Sequence, residues 1–133
     1  MPDEIPEFLP FIFSCSGSAD VGGIADGAAR SLSESGVAKM YCLAGIGARV
    51  EQIVNNAALA ERLISVDGCE NACSRKVLEA AGFKPALHLQ ITDLGMEKGN
   101  TPITNERIRE VMDEIKKRLQ AENGEDDEFA AGI

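Results

Sequence analysis

The sequence predicts an α/β protein, a three-layer sandwich built around a four-stranded parallel sheet. Short apolar runs alternate with segments of helical periodicity, and glycines end several of the helical segments. No apolar run approaches the roughly 20 residues that are needed to span a bilayer. At 133 residues the chain is long enough to bury the core of a single domain without disulfide bonds.

Four apolar runs are the predicted strands: PFIFSC (10–15), AKMYCLA (38–44), LISVDG (63–68) and ALHLQITDLG (86–95). Helical periodicity follows each strand, in segments 20–36, 48–63, 70–82 and 104–120. Strand–helix alternation predicts right-handed βαβ units. With helices on both faces we expect the strand order 2-1-3-4, by analogy with small doubly wound sheets of the Rossmann-like or flavodoxin-like kind.

The ends of the chain differ in composition from its middle. Residues 1–9 are acidic and rich in proline, which predicts an N-terminal arm, and residues 10–121 form the predicted single α/β domain. The acidic run in residues 122–133 predicts a disordered tail.

The net charge of −9 argues against a nucleic-acid or anionic-membrane partner, because no basic patch is present to meet phosphates. The N-terminus has neither the basic start nor the long apolar stretch of a signal peptide, so we expect a cytoplasmic protein. In a reducing compartment, four cysteines favour metal binding or thiol chemistry over structural disulfides.

All four cysteines follow predicted strands. Cys15, Cys42 and Cys69 lie at or just beyond the carboxyl ends of the first three strands, where ligands bind in open α/β sheets. Cys73 comes four residues after Cys69, so the two side chains would be one helical turn apart if the third helix began near Glu70. The topology therefore predicts a shared metal or thiol site, although a cysteine such as Cys42 also suits a core position.

Several neighbouring residues are candidates for supporting this site. Glycines in the strand-to-helix turns allow tight turns and close approach of the backbone, namely Gly17, Gly45, Gly47 and Gly68. Asp67 and Asp93 end strands and are candidates for hydrogen-bond acceptors behind the ligands or for proton carriers, although loop aspartates more commonly cap helices and make turns. Lys98 is a candidate contact for an anionic ligand, whereas the mid-strand His88 is not expected to bind a metal.

The stretches CSGSADVGGIADGAARSL, MYCLAGIG, VDGCENACSRKVLEAAG and ITDLGMEKG resemble the DGC-domain family, which is named for the Asp-Gly-Cys sequence found here at residues 67–69. The resemblance covers about residues 11–118. It implies a zinc-binding protein of unknown biological role, with zinc held by Cys15, Cys42, Cys69 and Cys73. It implies no reaction.

The sequence leaves three functions open. The leading one is a small metal-binding protein, because zinc held by four thiolates has no open position and suits a structural, storage or sensing role. An iron–sulfur cluster would use the same four ligands. The enzymatic alternative is thiol redox chemistry or sulfur transfer by Cys69 and Cys73, with the other two cysteines as partners. No protein partner can be named from the sequence.

Overall fold

The computed structural model describes the backbone of residues 9–132 and the side chains of residues 9–121. Its sheet contains four parallel strands in the order β2-β1-β3-β4, as the sequence predicts. The strands are β1 (Phe11–Ser14), β2 (Lys39–Met40), β3 (Leu63–Asp67) and β4 (Leu87–Gln90). β3 is buried along its whole length because it lies between two strands and under helices on both faces.

Five helices cover the two faces of the sheet and make the predicted three-layer sandwich. They are α1 (Asp20–Glu34), α2 (Leu43–Gly47), α3 (Glu51–Leu59), α4 (Cys73–Ala80) and α5 (Asn105–Gly132), and a 3₁₀ turn at Ile91–Leu94 follows β4. α1 and α5 pack on one face, and α2, α3 and α4 pack on the other. Successive β1 residues divide between these layers, with Ile12 in the first core and Phe13 in the second, as expected for the two-residue period of a strand.

The second strand and the helix after it differ from the prediction. β2 ends at Met40, and the apolar residues that follow form the additional helix α2. Cys42 caps this helix, since its sulfur accepts a hydrogen bond from the N–H of Gly45 at 3.2 Å. The expectation that Cys42 lies at the end of a strand is therefore corrected: it lies two residues beyond β2, at a helix start.

The start of α4 also differs. The helix begins at Cys73 and not near Glu70, because Ala72 adopts a left-handed conformation and breaks the helical path. Cys69 therefore lies in a turn before the helix, and the expected one-turn stacking of Cys69 and Cys73 within a helix is wrong. The turn is closed by a hydrogen bond from the Ala72 N–H to the Cys69 carbonyl.

The final helix starts where the sequence predicts, with the Thr104 hydroxyl accepting the N–H of Arg107. No helix in the described part of the chain combines the length and apolarity that crossing a bilayer would require. The backbone of α5 continues to Gly132, beyond the helix end at Gln120 that the sequence predicts. The predicted arm (1–9) and disordered tail (122–133) stay predictions, since residues 1–8 and the side chains from 122 onward lie outside the described residues.

Candidate functional site

The parallel sheet brings all four cysteines to its carboxyl edge. Cys15 directly follows β1, and its N–H continues the ladder to the Val66 carbonyl of β3. Cys69 lies two residues beyond β3, and Cys73 is the first residue of α4. None of the four is in a disulfide; Cys42 and Cys73 are exposed, and the other two are half-buried.

Three of these thiols line one cavity. We call it the thiol cavity: it has a volume of about 460 Å³ and is lined by Cys15, Cys69 and Cys73 together with the loop after β1, the first turn of α1 and Lys98. A neighbouring cavity of about 580 Å³ lies beside β2 and is lined by Cys42 and Cys15, among other residues. Cys15 is thus common to both cavities and connects the fourth cysteine to the other three.

The donor chemistry fits zinc or an iron–sulfur cluster, because both are held by thiolates. The side chains do not form a closed coordination shell as they stand. Among residues 9–121, no three Cys, His, Asp or Glu side chains make a group that could hold a metal ion. The four cysteines therefore match zinc or an iron–sulfur cluster in their ligand type and in their shared location at one edge of the sheet. They do not form a preformed tetrahedral site.

Backbone N–H groups already contact two of the sulfurs. The N–H of Gly68 points to Cys15 Sγ at 3.4 Å, and that of Gly45 to Cys42 Sγ at 3.2 Å. Such donors stabilise the negative charge of a thiolate. At Cys15, burial raises the pKa of the thiol, while hydrogen bonds from the N–H groups of Gly68 and Gly17 lower it. Burial is the larger effect, so the pKa is raised overall. In the metal-free protein this thiol is therefore mainly protonated at neutral pH.

Asp67 holds the start of α4 in place beneath the cysteines. Its buried carboxylate accepts the N–H of Ser74 at 2.7 Å and that of Arg75 at 3.1 Å, which are the orphan donors of the first helical turn. His88 Nε2 lies 3.0 Å from the same carboxylate, and Ser65 Oγ lies 3.3 Å from it. Asp67 thus accepts hydrogen bonds from the first turn of α4, and His88 contacts this carboxylate rather than a cysteine.

Lys98 lies at the mouth of the thiol cavity, where its ammonium Nζ is 3.6 Å from Cys69 Sγ. The Lys98 loop (residues 95–101) is fixed at several points. The carboxylate of Asp20, the first residue of α1, accepts the N–H groups of Gly99 and Thr101 at 2.9 and 3.1 Å, and these bonds lower its pKa. Met96 is buried in the core at the beginning of the loop.

The predicted glycines fall into two groups. A Cβ at Gly68 would lie 2.6 Å from backbone atoms of Val21 and Gly22 in α1, and Gly17 has a positive φ of 80° in the loop after Cys15. Gly45 is close to Ile53, while a Cβ on Gly47 would meet only an ordinary contact at 3.6 Å. Close approach thus explains Gly68 and Gly45, the positive φ explains Gly17, and neither explains Gly47.

The remaining predicted residue, Asp93, lies in the 3₁₀ turn and is exposed. Its carboxylate accepts a long hydrogen bond of 3.4 Å from the Gln90 amide. It is not one of the residues that line the thiol cavity.

Sequence reasoning missed the buried polar cluster around Asp67. Ser65 and Ser74 are both fully buried, and their hydroxyls lie 3.0 Å apart. Ser74 also donates to the Phe13 carbonyl, which ties α4 to β1. The signal was a serine inside the apolar run LISVD, since a polar residue in a fully buried strand needs hydrogen-bond partners.

Comparisons with known proteins agree with the residues at this edge of the sheet. The family model described as "DGC domain" matches residues 11–115, a range that includes all four cysteines. A protein of Pseudomonas aeruginosa (strain PAO1), "Anaerobic and virulence modulator AnvM", is 32% identical over 90 residues, which are 68% of this chain and 69% of the relative. No solved structure matches the chain.

Proposed function

This chain belongs to the DGC domain family, and from that premise we propose that it is a small cytoplasmic metal-binding protein that holds zinc through its four cysteines. The ligands are Cys15, Cys42, Cys69 and Cys73. The observation that carries the proposal is that three thiols line one cavity and that Cys15 also lines the neighbouring cavity of Cys42.

The surroundings of the sulfurs support an anionic metal–thiolate centre. Four thiolates around a divalent zinc ion leave a net charge of −2, which must be balanced or hydrogen-bonded inside a protein. Gly68 and Gly45 direct N–H groups at two of the sulfurs, and Lys98 places a cation beside a third. These groups lower the cost of gathering four negative sulfurs at one edge of the sheet.

Four thiolate ligands leave zinc without an open position for water or substrate, so we propose a structural or sensing role rather than hydrolysis. The relative from Pseudomonas aeruginosa is named as a modulator, which is a regulatory description. A metal held by thiols suits regulation, because oxidation of the thiols releases the metal.

The test is elemental analysis of protein purified without oxygen and without chelators. We expect close to one zinc ion per chain, and we expect the serine variant of each cysteine to bind zinc much more weakly. Ser18→Ala, at an exposed position in the same loop as Cys15, is the matched control and should retain the metal.

The outcomes separate the possible sites. Zinc-free and iron-free protein would refute the proposal. Iron with acid-labile sulfide and a visible absorption band would replace zinc by an iron–sulfur cluster. Full zinc binding in Cys42→Ser would restrict the ligands to the three cysteines of the thiol cavity.

A further inference from the structure

The thiol cavity contains a cation beside the half-buried sulfur of Cys69, a combination that the metal site alone does not require. Lys98 contacts Cys69 Sγ at 3.6 Å. The loop that carries Lys98 is anchored, since the Asp20 carboxylate accepts the N–H groups of Gly99 and Thr101 on the same loop. The backbone around Lys98 is therefore anchored, and its ammonium lies next to Cys69 Sγ.

This cation stands out in an acidic chain. The net charge is −9, which by itself repels small anions. The two carboxylates close to the cavity are engaged by backbone N–H groups: Asp20 by the Lys98 loop, and Asp67 by the first turn of α4. Lys98 thus has no ion pair with either carboxylate among the described contacts, and its charge is directed to the cavity mouth.

We propose that the thiol cavity of the metal-free protein binds a small anionic disulfide, that Lys98 recognises its negative charge, and that Cys69 is the thiol that exchanges with it. A volume of about 460 Å³ is within the range of cavities that bind small molecules. The proposal goes beyond metal binding and does not rest on it, although a metal and a disulfide would compete for the same sulfurs.

The exchange takes two steps. The Cys69 thiolate attacks one sulfur of the disulfide; the new S–S bond forms as the old one breaks, and the first half leaves as a thiolate that takes a proton from water. A second cysteine thiolate then attacks Cys69 Sγ and releases the other half. Two electrons pass from the two cysteines to the small disulfide, and the two protons lost by the cysteines balance those gained by the products.

Cys73 is the resolving thiol. It is exposed and lines the same cavity as Cys69. The hydrogen bond from the Ala72 N–H to the Cys69 carbonyl folds the chain back between them. Cys15 lies in the same cavity, but it is less exposed and its sulfur accepts the Gly68 N–H.

The experiment compares two disulfides on reduced, metal-free full-length protein. Dithiobis(nitrobenzoate) carries two carboxylates, whereas dithiodipyridine is uncharged, and both release a coloured thiolate or thione. We expect a fast phase with the anionic reagent that Cys69→Ser abolishes. Lys98→Met should slow this phase about five- to tenfold more than it slows the reaction with dithiodipyridine, because loss of the cation beside Cys69 Sγ affects both reactions whereas only the charged reagent is attracted.

The controls isolate the charge of Lys98. Lys84→Met removes an exposed cation just before β4, at the opposite edge of the sheet, and should leave both rates unchanged. Lys98→Arg should restore the rate with the anionic reagent. Added salt should reduce the difference in rate between the parent protein and Lys98→Met with the anionic reagent, because salt screens the attraction by Lys98. In Cys73→Ser, mass analysis should find a stable adduct on Cys69.

A fast phase that survives in Cys69→Ser, or an equal slowing of both reagents in Lys98→Met, would overturn the proposal. A disulfide that joins Cys69 to a cysteine other than Cys73 would overturn the second step. Zinc binding by the same variants is measured in parallel. Failure of the exchange with zinc binding intact would refute this inference and leave the proposed function standing.

Discussion

Asp67 shows how one side chain determines the arrangement of the cysteine site. Its carboxylate is 1% exposed and lies where β3 ends and the turn to α4 begins. Burial of a carboxylate is unfavourable unless hydrogen bonds replace its hydration, and here Ser74, Arg75, Ser65 and His88 provide them. Two of these partners are N–H groups of the helix that begins with Cys73. Asp67 therefore positions Cys73, a proposed zinc ligand, through the backbone N–H groups of α4.

We expect Asp67→Asn to lower the free energy of unfolding by about 2–4 kcal/mol. The NH₂ group of the asparagine would face an N–H donor that now donates to a carboxylate oxygen, so one buried hydrogen bond would be lost. Thermal or urea unfolding of metal-free protein measures this. Asp93→Asn is the matched control: its residue is exposed, so its effect should stay within about 0.5 kcal/mol. Equal stability of the two variants would show that the buried hydrogen bonds do not hold α4.

The connection between β3 and α4 is the element on which the site depends most. It carries Asp67, Cys69 and Cys73, and it packs directly on the first turn of α1 at Gly68. The Gly68 N–H also points to Cys15, so the same residue joins the loops that follow β1 and β3. Any side chain at Gly68 would have to displace backbone rather than a flexible side chain.

The variant Gly68→Ala tests the role of the connection between β3 and α4. A Cβ at 2.6 Å from backbone atoms of α1 must separate the two loops, so we expect a loss of about 1–3 kcal/mol in stability and weaker zinc binding. Gly47→Ala adds the same methyl group inside α2, where the nearest atom is 3.6 Å away. It should be at least as stable as the parent, since alanine favours helix over glycine. Unaltered zinc binding by Gly68→Ala would contradict the role given to this contact.

In the molecule as a whole, the apolar cores and the cysteine site lie at different places on the parallel sheet. Both cores are made of apolar side chains between the sheet and a helical layer, while the cysteines lie at one end of the strands. The apolar cores therefore do not depend on a metal, and the proposed zinc site would draw together loops that a folded sheet already presents. This differs from small zinc domains that have no core of their own and unfold when the metal is removed.

It follows that zinc should raise the stability of a protein that is already folded. At a free zinc concentration one hundred times the dissociation constant, we expect about 2.7 kcal/mol of added stability. Circular dichroism of chelator-treated protein should show intact helices, and zinc should raise its melting temperature. The variant that lacks all four cysteines should fold without responding to zinc. A chain that unfolds on chelation would contradict this picture.

The sequence by itself determined the fold class and the edge of the sheet at which the cysteines lie, and the strand order that was expected by analogy is confirmed. These follow from local patterns, because apolar runs such as LISVD favour buried strands and right-handed crossovers leave few ways to order four of them. The helix start at Thr104 was also predictable, because a cap acts on N–H groups only three residues away.

Only the tertiary structure decided how the cysteines are grouped and which residues support them. The pairs Asp67–His88, Cys69–Lys98 and Gly68–α1 join segments that are about 20 or more residues apart, so no local pattern in the chain reveals them. The same holds for the start of α4, which depends on a left-handed Ala72 as well as on the Asp67 cap seven residues before Ser74. Periodicity predicts which face of an element is buried, but the partner that a side chain meets depends on how the packed loops approach one another.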